Sequence, residues 1–104
     1  MNRKTNNGHA WTVRSAKPPT VEIDTEASAA YVRFKKAKVV RTIRHQSKWP
    51  IVTIDLDSHG DVVGVEFVGV KKFNLCYLLE LAGIKASGDV VAGASYVSTE
   101  TVAA

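Results

Sequence analysis

Residues 51–68 read IVTIDLDSHGDVVGVEFV, and their alternation decides the class of fold. Val52, Ile54 and Leu56 alternate with Thr53, Asp55 and Asp57; Ser58-His59-Gly60 breaks the run; Val63, Val65 and Phe67 resume it. A period of two sets one face against a core and the other against water, so the stretch reads as a β-hairpin. Gly60 supplies the left-handed backbone that closes such a loop and that β-branched residues resist. Asp55 and Asp57 supply turn chemistry, and Gly64 inside the returning strand marks a bulge or a close backbone neighbour.

Working outward, Val21 to Asp24 is a strand, Thr25-Glu26-Ala27-Ser28 a tight connection, and Ala29 to Lys35 a half-buried strand with Ala30, Val32 and Phe34 on its inner face. Val39 to His45 is a weaker strand, and Gln46 to Pro50 a loop in which Pro50 extends Trp49. After Gly69, Asn74 is an N-cap. Leu75, Leu78, Leu79 and Ala82 then fall at helical spacing before Gly83 ends the run. The expected fold is α+β: a small antiparallel β-meander of about five strands followed by one short C-terminal α-helix, over residues 20–84. Residues 85–104 form a small-residue tail, either disordered or contributing one added strand from Val90, Val91, Tyr96 and Val97.

The 104 residues hold 14 Lys+Arg against 10 Asp+Glu, and position changes what that excess means. Residues 1–19 carry Arg3, Lys4, Arg14 and Lys17 with no acid and end in Pro18-Pro19, which reads as a flexible basic arm with Trp11 available to a partner. The remainder is neutral but segregated. Arg33, Lys35, Lys36, Lys38, Arg41, Arg44 and Lys48 form an acid-free block, with Glu22, Asp24 and Glu26 before it and Asp55, Asp57, Asp61 and Glu66 after it. Antiparallel pairing brings such blocks together as cross-strand ion pairs of about 0.2–1 kcal/mol each. Together with Trp11 and Trp49, the block forms the candidate partner-binding surface; Asp55, Asp57, Gly60 and Gly64 are structural.

The runs VEIDTEASAAYVRF (21–34) and IDLDSHGDVVGVEF (54–67), in this order and spacing, resemble a family of small prokaryotic and phage proteins, domain of unknown function 2283 or YuzE-like. Its pattern is an acidic-Ala-x-Ala turn leading into a Leu-Tyr-Ile strand, followed by a Leu-Asp-x-Asp-x-x-Gly-x-Val-Val-Gly-Ile-Glu hairpin. The resemblance covers residues 20–73. The chain departs from it with Ala30 in place of a large aliphatic residue, with a basic middle strand, and with extensions at both ends. It implies a compact β-meander with a C-terminal helix and brings no catalytic residues. Family members are often encoded among mobile-element and toxin–antitoxin genes, which favours a regulatory or inhibitory binding role.

Other motifs have plainer readings. Asp55 to Glu66 imitates a calcium-binding EF-hand loop, but its flanks have the period of strands where an EF-hand needs two helices. His9, His45 and His59 lack metal-site spacing, and Cys76 near the helix start is packing unless a His stands beside it. Tyr31, Trp49, Phe67 and Phe73 are core or core rim in preference to a base-stacking platform. No cofactor is expected, nor a membrane span, since no run of about 18 apolar residues is present; a single Cys agrees with a cytoplasmic setting. The sequence therefore points to a non-catalytic protein-binding module, antitoxin-like or a phage-encoded inhibitor of a host system. The alternative is a nucleic-acid-binding accessory protein using the arm and the basic block. A core of about 65 residues is marginally stable, and open sheet edges with Tyr77 and Leu81 beside them favour a homodimer.

Overall fold

A computed structural model describes residues 11–13, 17–45 and 48–98. Eight strands and two helices follow one another: β1 (Trp11–Thr12), β2 (Thr20–Asp24), β3 (Ala29–Arg33), β4 (Arg41–His45), β5 (Ile51–Leu56), β6 (Val62–Val68), α1 (Leu75–Leu81), β7 (Ile84–Lys85), α2 (Gly88–Ala92) and β8 (Ser95–Ser98). The chain is mostly β with two short helices, in keeping with the expected class.

Six strands form one sheet in the order β4-β5-β6-β3-β2-β8, antiparallel throughout except for β2 and β8. The order is not that of a sequential meander, because β3 pairs with β6 instead of β4. Burial explains the choice: β6 is apolar and buried along most of its length, whereas β4 exposes three of its five residues. An apolar strand belongs at the centre and a charged one at the edge. The connection from β3 to β4 is held along the way. Both Phe34 and Lys35 donate their N–H groups to the Val63 carbonyl (2.8 and 3.4 Å), and Val40 donates to Leu56 (2.8 Å). Val63 is the extra residue where the β5–β6 register shifts, so the bulge lies beside Gly64 and its carbonyl anchors the crossing chain.

One face of the sheet is the core. Val21, Ala30, Val32, Val52, Ile54, Leu56, Val65 and Phe67 come together there, and α1 lays Leu75, Leu78 and Leu79 over them. Burying each large side chain of this set contributes about 1.5–3 kcal/mol. Ala30 pairs directly with Phe67, and both are buried on this face. Asn74 caps α1 by accepting the Tyr77 N–H (3.0 Å), and Gly83, at φ +73°, follows its end. Trp11 is part of this layer and not of a free arm: β1 pairs in parallel with β7, and the indole packs on the core. Arg3, Lys4, His9 and Arg14 lie outside the described residues, as do 99–104. The added strand contains Tyr96 and Val97, but Val90 and Val91 are helical. Ser87 accepts the Val90 N–H (3.2 Å) and so starts α2 where the two valines are expected as part of an added strand.

Candidate functional site

The opposite face of the sheet is polar, and the register sets its side chains in rows. Thr20, Arg33, Gly64, Asp55 and Thr42 form one row; Glu22, Tyr31, Glu66, Thr53 and Arg44 form the next. Tyr31 lies flat across Gly64, where a β-carbon would overlap its phenol. Its hydroxyl donates to Asp55 Oδ2 (2.8 Å) while Thr42 donates to Asp55 Oδ1 (2.7 Å), and Thr53 donates to Glu66 (3.4 Å). The Arg33 guanidinium stands 5.0 Å from the Tyr31 ring centre and 3.9 Å from Glu22. Burial, then the bond to Asp55 and the charge of that carboxylate, push the Tyr31 phenol well above its ordinary range. These groups bond to one another across strands, and Glu22, Tyr31 and Glu66 line an open depression of about 270 Å³ with Asp24 and Ala29.

The hairpin tip is a second polar cluster. Asp57 is buried, and its Oδ1 accepts the N–H groups of His59 (2.8 Å) and Asp61 (3.0 Å), while Gly60 takes φ +81°. Lys35 bonds Asp57 Oδ2 and stands 3.8 Å from Asp61. The Lys35 bond, helped by the two backbone donors and opposed by burial, holds the Asp57 carboxyl down at about 2, and the same bond raises Lys35. This loop is a structural knot. Among the described residues no group of three His, Cys, Asp or Glu side chains is placed to hold a metal.

The basic block is therefore dispersed. Arg33 and Arg44 point to the polar face, Lys35 is spent on the hairpin, Arg41 sits on the core side of the edge strand opposite Leu56, and Lys36 and Lys38 are exposed on the crossing connection. Lys48 and Trp49 begin a different grouping. The Trp49 indole rests on Gly69, where again no β-carbon fits, and its 61% exposure is the highest among the large apolar side chains described. Two acid-free stretches, 33–54 and 67–79, meet here through the pairing of Ile51 with Val68. Arg44 and Lys48 belong to the same β4–β5 hairpin as Trp49. Beyond Gly69 the chain meets the β2–β3 turn: the Ser28 carbonyl accepts the Gly69 and Val70 N–H groups (2.8 and 2.9 Å), and Lys71 lines a depression with Asp24, Thr25 and Phe73. Sequence reading missed the contact of Trp49 with Gly69. It also missed the Tyr31–Asp55–Thr42 bonds, because alternation gives a face but not a register.

Elsewhere, a groove of about 530 Å³ between α1 and α2 is lined by Cys76, Leu79, Glu80, Lys85 and Val91 among others, with no His among the described residues that line it. No described helix is long and apolar enough to cross a membrane. Comparison with known families finds a match over residues 20–71, half of the chain, to a family described as "Protein of unknown function (DUF2283)". No curated protein and no solved structure matches.

Proposed function

The chain belongs to the DUF2283 family of proteins of unknown function, and we propose that it is a non-catalytic protein-binding module that regulates or inhibits its partner by occupying it. The observation that supports this reading is the Trp49 end of the sheet. A large aromatic side chain is held against backbone and exposed, and the stretch around it, residues 33–54, carries seven bases and no acid. Trp is enriched among the residues that dominate binding energy at protein interfaces because it desolvates a large area with few rotatable bonds. The matching partner is a protein presenting an apolar pocket with an acidic rim. The polar face supports absence of turnover, since its carboxylates and phenol are already engaged with one another.

Affinity capture from the native host with the wild-type chain, Trp49→Ala and Lys48→Glu tests the reading, with circular dichroism as the control for folding. One partner bound by the wild type and at least about tenfold more weakly by both variants is the expected result. An exposed aromatic ring beside a lysine also suits a nucleic acid, with Trp49 stacking on a base. Single- and double-stranded probes titrated over a salt series separate the two readings: affinity that falls steeply with salt, without a protein partner, replaces the protein reading with the nucleic-acid one.

A further inference from the structure

The two edges of the six-stranded sheet are unlike. Edge strand β4 reads Arg-Thr-Ile-Arg-His and follows Lys36 and Lys38, so a second strand of the same kind laid beside it meets like charge. Edge strand β8 reads Ser-Tyr-Val-Ser, without a charge, a proline or a register shift against β2. Among the described residues it shows none of the devices that keep sheet edges apart. Its Tyr96 and Val97 are 55% and 48% exposed, although the Tyr96 ring also meets Phe73 edge-on at 5.8 Å.

The β2–β8 ladder fixes which backbone groups face outward. Ser95 donates its N–H to the Pro19 carbonyl (3.0 Å), and the parallel register sets Ser95 beside Thr20 and Tyr96 beside Val21. Alternation along a strand then turns the backbone of Ser95 and Val97 toward β2 and the N–H and C=O of Tyr96 away from it.

We propose that β8 pairs antiparallel with β8 of a second copy about a two-fold axis through Tyr96, joining two six-stranded sheets into one of twelve. In this register Tyr96 and the partner's Tyr96 exchange two backbone hydrogen bonds, their rings lie side by side on the core face, and Val97 meets the partner's Ser95 on the polar face. Only uncharged side chains meet directly at the seam. The occupant is a second copy because the strand is complementary to itself under a two-fold axis, and because joining here sets the basic β4 edges at the two far ends of the dimer. The like charges of Arg41 and Arg44 then do not face each other across the seam. The inference stands apart from the Trp49 reading, since Trp49 lies at the β5 side of the sheet, and each can fail without the other.

Sedimentation of the full-length chain from 1 to 100 µM, with Tyr96→Pro and Val97→Lys, provides the test. Tyr96→Pro removes a donor that points away from β2, and Val97→Lys places two like charges across the seam while setting a cation beside Glu22 of its own chain. The wild type is expected at twice the 11.3 kDa of one chain, and both variants are expected to associate about tenfold more weakly or worse. Should Tyr96→Pro lose its β-sheet dichroism, Val97→Lys decides alone. A wild-type monomer at 100 µM overturns the proposal, as does a dimer that a folded Val97→Lys leaves unchanged.

Discussion

Replacing Gly64 with alanine examines how the polar face is built. The added β-carbon falls inside the Tyr31 phenol, so the ring must leave its place across β6 and give up the 2.8 Å bond to Asp55. Loss of a hydrogen bond to a charged acceptor costs about 1.5–3 kcal/mol, and Tyr31 is only partly buried, so the lower figure applies. Crowding the ring against its neighbours adds about 1–3 kcal/mol. Against these stands the gain from giving a strand glycine a side chain, about 0.5–1 kcal/mol. The expected net destabilisation is about 2–4 kcal/mol. In a Tyr31→Ala background the obstacle is gone, and the same Gly64→Ala change becomes neutral or stabilises by up to about 1 kcal/mol. Urea unfolding of the four proteins measures both numbers, and their difference is a coupling of at least about 2 kcal/mol. An equal cost of Gly64→Ala in the two backgrounds would refute the reasoning.

Further expectations concern titration and capping. The Asp57 carboxyl, held near 2 by Lys35 and two backbone N–H groups, ionises more readily in the folded chain than in the unfolded one. Its contribution to stability is complete above about pH 4 and fades as pH falls toward about 2, and Lys35→Met should reduce that acid slope in denaturant midpoints measured against pH. Tyr31 titrates the other way. Its phenol is raised, so the contribution is complete below about pH 10 and lost as pH climbs further, and Tyr31→Phe should lessen the alkaline fall in the same assay. Asn74→Ala removes the acceptor for the Tyr77 N–H and should cost about 1 kcal/mol by urea unfolding, while Asn74→Asp should restore most of it.

Most of the framework was legible because its signals are local. The alternation of 51–68, the turn chemistry of Asp57 and Gly60, and the Asn74 cap each act within a few residues, and each matches an element of the fold. The binding surface was less legible. Arg33 and Arg41 belong to one basic run along the chain but lie on strands separated by two others in the sheet, and Lys35 is drawn to Asp57. Trp49 and Gly69 are far apart in the chain and are brought together by the Ile51–Val68 pairing.

By itself, the sequence determined the strands within 21–35, 39–45 and 51–68, which faces of them are apolar, where α1 begins, and that the basic and acidic runs are segregated, since these depend on side-chain period and on bonds between near neighbours. Only the tertiary structure decided that β3 pairs with β6, that Trp11 joins the core layer, that β8 returns in parallel beside β2, and that Trp49 rests on Gly69. Those outcomes depend on which apolar strand gains most from the centre of the sheet, a competition among segments distant in sequence that no local pattern encodes.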